Sequence, residues 1–535
     1  MVAVVEKVCP FCFVLSPNCR NFVAMKRKRS FWTRSVRTLS VLLTLSVLGI
    51  LVSCGGKGQD GRKVIHDTRD LKGAVIGVQL GTTSDILATN LENKGGGTKV
   101  ERYTKGADAI QALRQGKIDC VVTDEAPAKA FLRVNPSLKI LPQEFDKSSM
   151  AICVAKGNES LQRSLDKAIH TLQEQGTIDT IVARHRVHHQ TVAYHSPKDV
   201  KYTDAAPLKF ATNATFEPFE YYQAGQIVGI DVDVAHAIGD LIGRKVEVTD
   251  MEFDAIITSV QMGKADAGIA GITVTEERKK NINFTIPYTE VKQVVVINTG
   301  ESIATAETGF IDHFKSCFIT DGRYQYLLTG LGNTLIITFF AILFSLVLGT
   351  LIAIVRATHD RNGNHRILNF LCQFYLTIIR GTPTMVQLLI IYYVMFASAN
   401  VDKIFVAIIA FGLNSAAYIS EVIRSGIMSV DKGQMEAGRS LGLSYSQTMR
   451  LVILPQAFKN VLPAMGNELI TLLKETSISG YIGLVDLTKG SDIIRSITYD
   501  AMMPLGVVAL IYLGIVLALS AGVNRLEKRL RKGER

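Results

Sequence analysis

Residues 436–455 read EAGRSLGLSYSQTMRLVILP, two short amphipathic pieces joined at Gly442 and closed by Pro455. The stretch is polar, yet apolar runs flank it, Ile404 to Ile423 before and Val461 to Val485 after. A polar helix pair between two hydrophobic spans has to lie in water at one membrane face, because a bilayer core offers polar groups no partners. The chain is therefore membrane-embedded around this point, and the fold question becomes how many spans surround it.

Five runs are expected to cross. Leu327 to Val355 is uncharged and long enough for a hydrocarbon core of about 30 Å. Leu371 to Ala399 is the second, interrupted by Arg380-Gly381-Thr382-Pro383; Ile404 to Ile423, Val461 to Val485 and Ala501 to Val523 complete the set. Arg356, Arg361 and Arg366 follow span one, and Arg525, Lys528, Arg529, Arg531 and Lys532 follow span five, which marks both ends as cytoplasmic. With an outside start, five spans end inside, and the same count puts 436–455 in the cytoplasm. The formal charge of +11 is concentrated at 26–37, 356–366 and 525–532, beside apolar runs, so it orients the chain in a lipid bilayer. No nucleic-acid partner is expected.

The spacing of Glu436, Ala437, Gly442, Ile453, Leu454 and Pro455 resembles the EAA loop of ABC importer permeases, with one departure at Gly438, where a second Ala is usual. The resemblance implies a cytoplasmic ABC ATPase subunit docked on this loop. No GxxxxGK[ST] string occurs, so the chain is not expected to be an enzyme: ATP belongs to the partner, and neither cofactor nor metal is expected here. One permease unit implies a homodimer. IIRGTP from Ile378, LNSAAYISEVIRSGI from Leu413 and NELITLLKETSI from Asn467 resemble permeases for polar amino acids. Glu468, Lys474 and Glu475 are costly near a membrane and are read either as lining a translocation path or as packing groups.

At the other end, KRKR after Met25, an apolar stretch from Val36 to Val52 and then Ser53-Cys54-Gly55-Gly56 form a secretory address. Leu51-Val52-Ser53-Cys54 resembles a lipobox, which implies lipidation of Cys54; an uncleaved anchor is the other reading, and both place residue 55 onward outside the cytoplasm. Residues 1–24 fit no such scheme, so Met25 is taken as a possible start and Cys9 and Cys12 as no redox or zinc motif. Cys120, Cys153, Cys317 and Cys372 are scattered singly and suggest no disulfide framework. The expected location is a bacterial inner membrane, with the soluble part extracytoplasmic.

That part, about 62–298, alternates strand runs (Val75 to Leu80, Cys120 to Val122, Ile152 to Ala155, Lys209 to Thr212, Val294 to Ile297) with helical periods at 105–116, 160–175, 231–242 and 253–262, an α/β pattern. PLKFATNATFEPFEY from Pro207 and FDAIITSVQMGKADAGIAGITVTEERKK from Phe253 resemble the opening half of amino-acid-binding proteins of ABC importers, and DLKGAVIGVQLGTTSD from Asp70 with ALRQGKIDCVVTDEAPAKAF from Ala112 their closing half. The halves stand in reversed order. The expected architecture is thus a two-lobed periplasmic-binding-protein fold, circularly permuted, with lobe 2 at 62–147 and lobe 1 at 148–298, a linker at 299–322 and an all-α permease of the type I importer kind at 323–535. Termini of such folds lie at the surface, where rejoining is tolerated. Only the segment near Ser148 to Lys156 is expected to cross between the lobes, giving a loose hinge.

A free amino acid offers a carboxylate, an ammonium and a side chain, so its site needs a cation or anion nest, an anion and a shaped wall. The resemblance assigns Arg278 to the carboxylate through its planar fork; Thr273, Gly271 and Thr83 complete the polar contacts, and Asp124 takes the ammonium. Phe216 and Phe253 sandwich the ligand side chain, with cation–π attraction for a basic one. Asn213 and Gln79 are uncharged, which suits glutamine, whereas Glu217 and Glu220 suit arginine or lysine. A ligand-gated ion channel or receptor on the same two-lobed fold is the alternative. A channel would interrupt the lobes with its pore and carry a filter loop, and here both lobes precede every span.

Overall fold

The computed structural model describes residues 63–186, 194–203, 206–300, 310–363, 365–397, 401–500 and 502–531. The leader, Met25 and Cys54 lie outside them. The strands of the soluble part, in chain order, are Val75–Gln79 (β1), Lys99–Tyr103 (β2), Cys120–Asp124 (β3), Leu138–Ile140 (β4), Asp146–Met150 (β5), Cys153–Val154 (β6), Leu208–Thr212 (β7), Val246–Asp250 (β8), Ala267–Gly268 (β9), Asn283–Phe284 (β10) and Thr289–Asn298 (β11). A separate three-stranded sheet at 215–228 flanks them.

One lobe is built on the order β2-β1-β3-β11-β4, with β5 also on β11, and the other on β8-β7-β9-β6-β10. In the first, β1 runs parallel to β2 and β3, joined to β2 through the helix Thr83–Asn93 (α1). Neighbouring residues of β3 and β11 serve opposite faces. Val122 and Val295 pack with Ile76 and Val78, while Val121 and Val296 pack with Ile110, Leu113 and Phe131. A sheet covered on both faces demands such uninterrupted apolar runs, which is why these strands are visible in the sequence. The second lobe centres on Phe210, Ile152, Ile169, Val234 and Ile238, the last two on the helix Ile230–Ile242 (α2).

Two expectations need correction here. β11 was counted with lobe 1 through residue 298, but it pairs antiparallel with β3, β4 and β5 of the other lobe. The chain therefore crosses between lobes twice, at 150–153 and again at 284–289, and the single-strand hinge does not occur.

The C-terminal part is helical: Tyr324–Asn362 (α3), Arg366–Gly381 (α4), Thr384–Ile390 (α5), Lys403–Met428 (α6), Lys432–Ser440 (α7), Tyr445–Thr448 (α8), Leu454–Glu475 (α9), Leu487–Thr498 (α10) and Met502–Arg531 (α11). Part of the expected linker, Phe310–Phe314, is also helical. Among the described residues three helices, α3, α6 and α11, are long and apolar enough to cross a membrane, and a fourth span results if the pair α4 with 384–395 counts as one. The expected second span is bent by 110° rather than straight. Its break at Thr382-Pro383 leaves carbonyls that Gln387 satisfies, donating to Ile379 O at 2.6 Å and Thr382 O at 3.0 Å, while Asn414 of α6 donates to the Gln387 amide oxygen at 2.9 Å. The expected fourth span corresponds to α9 and a 3₁₀ turn to Ile482; its Asn467, Glu468 and Lys474 keep it out of the apolar class, though it packs against both α6 and α11.

Small residues set the helix spacing. A Cβ on Gly412 would lie 2.5 Å from the Phe344 ring, and one on Gly349 3.0 Å from Ala416 O, so α3 and α6 approach closely only because those positions are glycine. At one end of the same pair Arg356 bonds Glu421 at 2.6 Å and Arg424 bonds Asp360 at 2.9 Å.

Candidate functional site

A cleft lies between the two lobes, and the side chains that form it come from strand ends, where backbone polarity and helix starts are concentrated. From one lobe, Gln79 ends β1, Thr83 opens α1 and Asp124 ends β3; from the other, Asn213 follows β7, Phe216 stands in the flanking three-stranded sheet, Phe253 opens a 3₁₀ turn, and Gly271 and Thr273 follow β9. All eight line one cavity. Thr82 to Ser84 place the positive end of α1 there, a natural seat for a carboxylate.

Asp124 is buried, and Gln293 of β11 donates its amide to one carboxylate oxygen; Ser84 Oγ donates to the Gln293 carbonyl at 2.6 Å. Gln293 and Ser84 line the cavity and hold the anion in place, yet neither was singled out in the sequence. The signal was out of reach, because Gln293 meets Asp124 only through the β11 crossing. Gly271 has φ +56°, and a Cβ there would stand 3.2 Å from the Phe216 ring, so glycine is required for both conformation and space. Its N–H donates to Asp231 at 2.7 Å.

Arg278 is placed differently from the other eight. It is buried beside the cavity rather than lining it, and its fork donates to Thr273 O at 2.7 Å and Gly81 O at 2.6 Å, with the Phe253 ring 5.7 Å away. A buried guanidinium needs acceptors for its donors, and here one carbonyl from each lobe provides one. To grip a ligand carboxylate it would exchange the Gly81 bond. That bond, the Gln79 to Asn213 bond at 3.4 Å and the Arg133–Glu217 ion pair all join the lobes, so the cleft is shut.

The two acidic residues weighed for a basic ligand separate. Glu217 pairs with Arg133 and does not reach the cavity. Glu220 lines it, but burial and the adjacent Asp231 carboxylate push its carboxyl well above the ordinary range. Asp231 already accepts from Gly271 N and from Tyr288 OH at 2.8 Å. Glu217 is thus engaged away from the cavity, and the Glu220 carboxyl is disfavoured as an anion.

On the loop 436–455, Gly442 has φ +87° with open space around it, so glycine is needed for conformation alone. Gly438 explains its own departure from the usual Ala: a Cβ there would stand 2.4 Å from Thr448 Cγ2, and Thr448 is fully buried. Ile453 is anchored with Ala357, Ile427, Val430 and Ala457, while Glu436, Ala437 and Pro455 are exposed, as are the apolar Leu441, Leu451 and Leu454. Elsewhere, His313 Nε2 lies 2.9 Å and Cys317 Sγ 3.7 Å from the same Asp500 oxygen, whose carboxylate also caps α11. The four described cysteines are all free, and burial pushes the Cys153 thiol up to about 12.

Two kinds of known protein are similar to this chain. Residues 208–502 match the family described as bacterial extracellular solute-binding proteins, family 3. The arginine transport system permease protein ArtQ of Bacillus subtilis (strain 168) is 37% identical over 214 residues, covering 40% of this chain and 95% of the relative. The putative glutamine transport system permease protein GlnP of Rickettsia bellii (strain RML369-C) is 39% identical over 210 residues, covering 39% and 94%. A solved amino acid ABC transporter with histidines aligns at 40% identity and TM-score 0.37 over 40% of this chain and 98% of that one. These relatives are transport components and not enzymes.

Proposed function

Because this chain belongs to the family-3 extracellular solute-binding proteins and joins to them the permease of an amino-acid ABC importer, we propose that it captures a polar or basic amino acid outside the membrane and hands it inward. ATP is hydrolysed on a separate cytoplasmic ABC subunit that docks at 436–455, and two copies of the chain build one pathway. In this reading the N-terminal leader is a lipoprotein signal ending at Cys54, and the lobes are a circular permutation of the usual order. Asp124 takes the ammonium, and the α-carboxylate sits at the start of α1, held by Arg278, Thr83 and Thr273. Phe216 and Phe253 shape the side-chain wall beside Asn213 and Gln79. Recognition and closure are then one event, since the contacts come from both lobes.

The observation that carries the proposal is the convergence of those residues on one cavity, with Arg278 buried beside it, in a chain that also holds the permease. Support for the docking site comes from exposed Leu441, Leu451 and Leu454 beside an anchored Ile453. Glutamine ranks with arginine as substrate because Glu217 is paired with Arg133 away from the cavity and the Glu220 carboxyl is pushed up. Competition uptake with arginine and glutamine, with and without ATP, tests the proposal; ion current without concentrative uptake would favour the channel reading.

A further inference from the structure

One short helix of the permease, α10, touches both lobes of the binding domain. Lys489 is fully buried between Asp250 and Glu252 of one lobe, 3.1 Å from each carboxylate. Three residues on, Asp492 bonds Lys105 of the other lobe at 2.6 Å, and Arg495 bonds Asp492 at 2.7 Å and pairs with Asp108. Beyond them the Tyr499 ring meets Phe131 edge-on at 4.9 Å. Two of these contacts stand next to the cavity wall: Glu252 precedes Phe253, and Lys105 precedes Gly106, both of which line the cleft.

The helix itself is fixed. Asp486 caps it, accepting from Lys489 N at 2.8 Å, and Gly490 lets it lie on α3, where a Cβ would come within 2.5 Å of Tyr326 O. Thr334 of α3 accepts from Leu487 N at 3.1 Å. Six residues of rigid helix separate Lys489 from Arg495, about 9 Å along the axis. A rod of fixed length with charged groups at both ends can satisfy two lobes only at one spacing between them.

We propose that α10 is the permease's reader of cleft closure, a two-point docking surface for this chain's own binding domain, with Lys489 engaging one lobe and the Asp492–Arg495 pair the other. An open cleft separates the two carboxylates from Lys105 and Asp108 and leaves one end of α10 unmatched. The order of charges also fixes orientation, because a domain docked the other way round would set Lys489 against Lys105. When the domain leaves, Lys489 and its carboxylates return to water, so the contact is reversible in a way a purely apolar one is not.

This inference rests on the import reading above, and two readouts on the full chain with its ATPase subunit separate them: affinity for arginine and glutamine by titration calorimetry, and uptake of the same amino acids. Lys489→Met is expected to keep ligand affinity within about threefold of wild type while uptake drops at least tenfold. Asp108→Arg and Arg495→Asp alone should each lose at least tenfold in uptake, and the two together should regain at least half. Wild-type uptake in Lys489→Met, or a double exchange no better than its parts, overturns the docking role. A wild-type chain that binds neither amino acid overturns the import reading itself.

Discussion

The cleft and the loop at 436–455 are built on opposite principles. The loop is twenty consecutive residues shaped by contacts among near neighbours, such as Gly438 with Thr448 and Ser444 with Gln447, and anchored at Ile453. The cleft draws on residues from Gln79 to Gln293 and exists only when two lobes meet. A local device stands complete in a short motif, whereas a device made by tertiary assembly shows its parts in sequence but not their supports. The walls of the second kind belong to bodies joined by two short crossings, with charged side chains on both.

The largest expected effect breaks the cleft. Asp124→Ala or Arg278→Ala removes one member of a desolvated charge pair with the ligand, worth about 3 kcal/mol or roughly 100-fold in affinity; calorimetry on the full chain checks it, and a loss below tenfold would place the zwitterion elsewhere. On the loop, Gly442→Val forces a β-branched residue to φ +87°, a strain of about 1–3 kcal/mol, and should abolish amino-acid-stimulated ATP hydrolysis while ligand affinity holds. A smaller effect sharpens the local reading. Gly438→Ala should impair coupling by pressing on Thr448, and adding Thr448→Ala should restore it; failure of the restoration would mean that the departure at Gly438 has another cause.

The smallest effect concerns pH. Because Glu220 has a raised value when folded, the folded chain holds a proton that the unfolded chain releases, so stability is greatest near and below the ordinary carboxyl range and falls as pH rises toward the folded value. One proton corresponds to about 1.4 kcal/mol per pH unit. Glu220→Gln keeps the shape and removes that proton, so its melting temperature between pH 6 and 9 should fall less steeply than that of wild type. Parallel slopes would show that Glu220 is ionised throughout.

Much of this was legible beforehand, for physical reasons. β1, β3 and β7 are doubly covered strands and appear as apolar runs, and α3 and α6 are too apolar to be anything but spans. Eight of the nine expected ligand residues meet in one cavity, because turns at strand ends carry recognisable strings. What was not legible depends on crossings and on burial. β11 joins the opposite lobe through a pairing with β3 that no local pattern announces, and Gln293 became part of the site with it. Glu220 looks like a free anion in sequence, and only its burial and the adjacent Asp231 show that its carboxyl is pushed above the ordinary range. The bend at Thr382-Pro383 was visible as an interruption, but its 110° angle depends on Gln387 and Asn414 taking over the broken helix end.

The most direct test is amino-acid-stimulated ATP hydrolysis by the full chain reconstituted with its ATPase subunit in liposomes. The account predicts stimulation by arginine or glutamine in wild type and none in Arg278→Ala at the same concentration. Equal stimulation in both, or hydrolysis indifferent to either amino acid, would contradict it.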